Sequence, residues 1–172
     1  MRRPIAILAL LAMAALPLTT RADDATAREA TLAKVGATLA AYGRSDVGIT
    51  FVQPAKNKWN YTGTLSTGLT HAQALEVVVS VGTQNTINIL VYPHYKGGYV
   101  NIATSKQAAT LTRTLLKMNY ETFFFWGADD ENDVYAAFKF TLESGYPEDS
   151  IRTVLQSVPL LDKYVGELTP YA

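Results

Sequence analysis

The sequence predicts an α+β protein: an antiparallel β-sheet packed by helices, in the order α-β-β-β-α-β-β-α, with room for an extra hairpin near the N-terminus. Three observations carry this. β-Branched runs separated by glycine- and asparagine-bearing turns fill the middle of the chain, and stretches with apolar residues at three- and four-residue steps stand on both sides of it. No repeat, low-complexity tract or linker divides the chain after its leader, so residues 23–172 read as a single domain.

The leader is residues 1–22. Arg2 and Arg3 precede an unbroken apolar stretch from Ile5 to Leu16, and the polar end Thr20-Arg21 leads to the small residue Ala22, the three-part pattern of a signal peptide. The apolar run is shorter than the roughly 20 residues that cross a bilayer. Cleavage near Ala22, no stable membrane anchor afterwards and a periplasmic or secreted location are the expectation.

From Asp23 to Tyr42, Leu32, Val35, Leu39 and Tyr42 mark one helical face, with Gly43 where the helix would stop. Val47–Val52 and the stretch holding Trp59, Tyr61 and Leu65 read as a hairpin around Lys56-Asn57-Lys58. Gly68–Gln73 is a break. Leu75–Val81 and Thr86–Tyr92 follow as antiparallel strands, and Tyr99–Ala103 as a third after Lys96-Gly97-Gly98.

Ser105 can cap a helix whose stripe is Ala108, Leu111, Leu115 and Met118. In the run NYETFFFWGADDENDVYAAFKF (Asn119–Phe140), alternation sends Phe123 and Phe125 one way and Phe124 and Trp126 the other, with the return strand's Val134, Ala136, Phe138 and Phe140 on the core side. Pro147, Glu148 and Asp149 open the last helix, which breaks at Pro159, and the tail after Leu168 reads as frayed.

Composition excludes several classes of function. Without a single cysteine there is no disulfide framework, lipid-modified cysteine or thiolate chemistry. Loss of Arg2, Arg3 and Arg21 with the leader takes three of 15 basic residues and leaves 12 against 15 acidic ones, about −3. No Lys/Arg cluster stands out, so nucleic acid is not the expected partner. P-loop, nucleophile-elbow and dinucleotide motifs are absent from the sequence, and the only two histidines, His71 and His94, fall in no triad or ligand pattern. Asp129, Glu131 and Asp133 have calcium-like spacing, but Val134 and Phe140 stand where the loop needs glycine and glutamate. The expectation is therefore no catalytic, metal-binding or cofactor-binding residues.

Two surfaces carry the binding expectation. The face opposite the core is assigned Phe124, Trp126 and Tyr135, for a protein partner or a second copy of the chain. In YPHYKGGY, Tyr92, Tyr95 and Tyr99 form a candidate ring platform for a small ligand or carbohydrate. Lys56, Lys58, Trp59 and Tyr61 in KNKWNY have the composition of a small base-stacking platform, weakened by the acidic balance around them.

The second half carries a resemblance as well. LLKMNYETFFFWGADDENDVYAAFKFTLESGYPEDSIRTVLQSVPLLDKY (Leu115–Tyr164), preceded by NILVYPHYKGGYVNIAT, resembles the YbjN-type family of bacterial proteins, described as sensory transduction regulators with a type III secretion chaperone-like fold. The carrying features are a leucine helix ending in Asn119, an aromatic strand, the acidic turn Asp129–Asp133, a return strand closing on Leu142 and Glu143, and Pro147-Glu148 opening the last helix. The resemblance implies a helix, three strands, a helix, two strands and a helix, no enzymatic activity, and a tendency to dimerise and hold extended segments of other proteins. Its cytosolic members lack the leader seen here. The functional expectation is a non-catalytic binding or chaperone-like module.

Overall fold

The computed structural model describes residues 20–83 and 86–172, with side chains from residue 25 onward. The leader read over residues 1–22 lies, but for its last three residues, outside the described residues, as do Gln84 and Asn85 of the central turn. The elements are α1 (Thr20–Val47), β1 (Asn60–Leu65), β2 (Ala74–Val81), β3 (Thr86–Tyr95), β4 (Gly98–Tyr99), α2 (Ala108–Glu121), β5 (Phe125–Ala128), β6 (Val134–Thr141), α3 (Glu148–Ser157) and α4 (Leu161–Leu168). The strands form one antiparallel sheet in the order β1-β2-β3-β6-β5, with β4 folded back on the end of β3. The α+β class and the antiparallel sheet packed by helices are as the sequence predicts.

Strict alternation makes this sheet two-sided. On one side Leu75, Val77, Val79 and Val81 of β2, Ile87, Ile89 and Val91 of β3, and Val134, Ala136 and Phe140 of β6 are buried. All four helices pack here: Val35 and Leu39 from α1, Leu111, Leu115 and Met118 from α2, Ile151, Val154 and Leu155 from α3, and Leu161, Val165 and Leu168 from α4 complete the core. Helix periodicity of 3.6 and strand periodicity of 2 therefore converge on one apolar layer.

Four local readings change. α1 runs through Gly43 to Val47, because Gly43 is where the helix touches its neighbours: a Cβ there would lie 2.8 Å from both the Ile49 carbonyl oxygen and the Phe51 ring. The stop is Gly48, whose φ of +73° suits the left-handed turn after a helix. Val47–Val52 is not a strand of an extra hairpin. It meets β1 only at the Val52–Thr62 bridge, and β1 pairs along its length with β2 instead. Gly98–Tyr99 replaces the longer third strand, beyond which Asn101 bridges to Asp133.

The C-terminal tail is also docked rather than frayed. Thr169–Tyr171 form a 3-10 turn, and the Ser105 hydroxyl donates to the Tyr171 carbonyl while accepting the Gln107 N–H at 3.0 Å. Ser105 thus secures the start of α2 from just outside it. Pro159 acts as the sequence predicts: α3 ends at Ser157, a 3-10 turn spans Val158–Leu160, and α4 begins at Leu161.

Candidate binding face

Among the described residues no helix packs on the other side of the sheet. Apart from Thr86 at its end, every strand residue directed this way is exposed or half-buried. Register sets these residues in rows across the strands. The middle row is Thr62, Val78, Leu90, Ala137 and Phe125, and it is apolar after Thr62. It ends on Phe125, which is 75% exposed. One neighbouring row is polar, with Asn60, Ser80, Asn88 and Lys139. The other begins Thr64, Glu76, Tyr92 and continues across β6 to Tyr135 and Gly127.

That third row builds an aromatic cluster with the end of β3. Tyr92 meets Tyr99 at 5.7 Å and Tyr135 at 5.8 Å between ring centroids, both edge-on, and His94 meets Tyr99 at 4.4 Å. Glu76 organises it: its Oε2 accepts the Tyr99 hydroxyl at 2.7 Å and lies 3.2 Å from His94 Nε2. The acidic turn closes the far side. Asp129 Oδ1 accepts the Glu131 and Asp133 N–H groups at 3.0 and 2.9 Å, Asn132 takes the left-handed conformation, and Asp133 accepts Asn101 Nδ2 at 2.8 Å.

These carboxylates leave a mark on the phenols. The Glu76 hydrogen bond, then burial, then the charges of Glu76 and Asp133 push Tyr99 up to about 12. Burial, followed by Asp129, pushes Tyr92 up to about 12. The face is therefore an apolar row bordered by neutral tyrosines in a negative field.

Both sheet edges are occupied from within. On β5, Asn119 of α2 accepts the Trp126 N–H at 2.6 Å through Oδ1 and donates Nδ2 to the Trp126 carbonyl at 3.1 Å, as a further strand would. On β1, Val52 exchanges both backbone bonds with Thr62 at 2.8 Å. Such caps hinder edge-to-edge pairing.

The structure divides the residues that the sequence grouped. Tyr135 lies on the uncovered face, but Phe124 and Trp126 do not: they are 3% and 5% exposed. Trp126 opposes Ala136 on the core side, its ring 6.3 Å from Tyr164 and its indole N–H on Thr122 Oγ1. The alternation itself holds, with Phe123 and Phe125 exposed against buried Phe124 and Trp126, but it is the second pair that faces the helices. Phe123 and Phe124 precede β5 in a bend, where they meet each other and the edge of Phe138. Tyr120 and Phe123 are exposed as well, but Phe125 is the exposed aromatic of this run that the strand register places on the uncovered face.

The three-tyrosine platform is divided too. Tyr92 and Tyr99 meet, whereas Tyr95 alternates to the other side and packs against the core. His94 and Tyr135 take its place, a convergence that cross-strand register reveals and motif spacing does not. With the rings inclined at 60–67° to one another, they form no single flat surface.

The remaining candidates have structural partners. The Trp59 ring in KNKWNY is covered by Arg28, 3.8 Å from its centroid, and Arg28 also bonds the Val81 carbonyl. His71 lies at the β1–β2 connection, away from His94, and its backbone N–H joins those of Thr70 and Ala72 on the Asp162 carboxylate. Among the described residues no group of three or more histidines and acids could hold a metal ion, and no helix is long and apolar enough to cross a membrane.

Helices on one side, a bare sheet on the other and sealed edges define a two-layer α+β protein with an open face. The chain has a YbjN-type fold: it is similar to the crystal structure of YbjN from E. coli, a proposed transcription regulator, with a TM-score of 0.51 and 12% identity over 81% of this chain and 91% of that one. No family model matches the chain, and no curated protein matches its sequence.

Proposed function

We propose that this chain is a non-catalytic, exported binding module of YbjN type, and that it holds a segment of another protein across the uncovered face of its sheet. The observation that carries the reading is the apolar row Val78, Leu90, Ala137 and Phe125, crossing four strands with no helix of the described residues over it. A sheet whose apolar side is already filled by four helices gains nothing from a second apolar row unless something covers it. The capped edges at Thr62 and Trp126 direct a guest to the face rather than to strand addition. The leader with its Ala22 exit supports export, and the YbjN-type fold supports a binding rather than a catalytic role.

The test is a native mass spectrum of the protein purified from the envelope fraction of its source, beside Phe125→Asp. The expected result is a chain shortened near Ala22 that carries a polypeptide, which Phe125→Asp loses while staying folded. A bare monomer, or a guest retained by Phe125→Asp, would refute the reading.

A further inference from the structure

We infer that the segment received on this face is basic, an extended peptide whose arginine side chains lie over the Tyr92–Tyr99–Tyr135 cluster between Glu76 and the Asp129–Asp133 turn. This rests on the proposed function and adds the chemistry of the guest.

Three features of the face select a cation. The first is the aromatic cluster itself, since tyrosine rings attract a cation and offer a planar guanidinium something to stack on. The second is the charge around it. Glu76 stands on one side and Asp129, Asp130, Glu131 and Asp133 on the other, and among the described residues none of them is ion-paired with a lysine or arginine. His94 shares Oε2 of Glu76 with Tyr99, Lys96 lies over the Tyr95 ring at 4.8 Å, and Lys139 stands in the polar row on the far side of the apolar one.

The third is the vacancy on Glu76. Tyr99 and His94 both address Oε2, and among the described residues no hydrogen bond engages Oε1, so a guanidinium can meet a carboxylate oxygen without displacing a native partner. The Glu76 hydrogen bond that raises Tyr99, and the Asp129 charge that adds to burial at Tyr92, belong to the same field. A negative, aromatic, half-buried surface on a chain that is itself acidic after loss of its leader complements a basic guest and repels an acidic one.

Row spacing adds a sequence rule for that guest. The apolar and aromatic rows are two residues apart along β2 and β3, about 6.6 Å, which is also the distance between alternate side chains of an extended peptide. A guest lying along the strands puts an apolar residue on Leu90 and Phe125 and an arginine two positions away on the tyrosines.

The experiment is fluorescence anisotropy with a labelled octapeptide carrying leucine and arginine at alternate positions among serines, beside the same peptide with citrulline, which keeps the shape and removes the charge. The expected results are saturable binding of the arginine peptide that weakens at least fivefold from about 50 to about 300 mM salt, about tenfold weaker binding of the citrulline peptide, and a similar loss in Glu76→Gln with its melting temperature unchanged. Equal binding of the two peptides, lost in Phe125→Asp, would overturn the basic guest and leave the open-face reading intact. So would failure of either peptide to bind while the native spectrum carries a polypeptide. Arginine-peptide binding that Glu76→Gln and Phe125→Asp both leave unchanged would place the cation elsewhere and overturn the inference as well.

Discussion

Asp162 offers the sharpest test of how the helix layer is fastened to the sheet. It sits in the first turn of α4, is 7% exposed, and its carboxylate accepts backbone N–H groups from Thr70 at 2.6 Å, His71 at 3.0 Å and Ala72 at 2.7 Å. One side chain thus holds the β1–β2 connection against α4. A hydrogen bond to a charged group contributes roughly 1.5–3 kcal/mol, but donors that can reach water recover much of that when the acceptor goes. Thr70 and His71 are exposed and Ala72 is buried, so the loss concentrates on the Ala72 N–H. Asp162→Ala should then cost about 3 kcal/mol, and Asp162→Asn, which keeps one acceptor oxygen, about 1–2 kcal/mol.

The assay is urea denaturation followed by tryptophan fluorescence, repeated across pH. Burial alone would raise the Asp162 carboxyl, but the N–H groups of Ala72, Thr70 and His71 outweigh it and hold the group below its ordinary 3.8. The unfolded chain therefore takes up this proton first as pH falls. The carboxylate's contribution is fully present above about pH 4 and is lost as pH drops through the lower, folded value. Wild type should lose stability in that acid range more steeply than Asp162→Asn. A cost below about 1 kcal/mol for Asp162→Ala, or parallel acid profiles for wild type and Asp162→Asn, would refute the reasoning.

Other outcomes follow from the same geometry. Phe125→Ala should leave the unfolding free energy within about 0.5 kcal/mol of wild type, whereas Trp126→Ala, one residue away, should cost about 3–5 kcal/mol. A larger cost for Phe125→Ala than for Trp126→Ala would mean that β5 is turned the other way. Asn119→Leu removes both bonds to the Trp126 backbone; about 2 kcal/mol of stability should be lost, and sedimentation should reveal association that grows with concentration as the β5 edge is uncovered. In a titration followed by ultraviolet absorbance, Tyr92 and Tyr99 should be among the last of the ten tyrosines to ionise, near pH 12. Glu76→Gln should bring the Tyr99 step down, because the Glu76 bond is its first cause.

How much of this was legible in the sequence depends on the range of the interaction responsible. Val77, Val79, Ile87, Ile89, Val134 and Ala136 declare their alternation locally, and Pro159 declares a break by its missing N–H, so the central strands, the helices and the class could be read directly. Gly43 looked like a stop because nothing local announces that Phe51 and Ile49 come to lie against it. Phe124 and Trp126 were assigned to the wrong side for a related reason. Alternation gives relative direction only, and which half of the run faced the helices was decided by Asn119 gripping Trp126 and by Tyr164, 38 residues further on, packing on its ring. The cluster of Tyr92, Tyr99, Tyr135, His94 and Glu76 needs the β2-β3-β6 register, which joins positions up to 59 residues apart.

The sealed edges and the open face explain each other. An exposed sheet carrying Val78, Leu90 and Phe125 would be an aggregation hazard if its edge strands could also recruit a second sheet, because face and edge together build stacked β-structure. Asn119 and Val52 remove the edge route at the midpoints of β5 and β1, and Glu76 in the third row with the Asp129–Asp133 turn beside it adds like-charge repulsion between copies approaching with those rows aligned. What survives these two filters is a guest that brings opposite charge and lies on the face without extending the sheet. The same devices that keep the free chain from sticking to itself therefore narrow what it can hold, which is why capping and selectivity should fail separately: Asn119→Leu in association of the chain with itself, and Glu76→Gln in discrimination between the arginine and citrulline peptides.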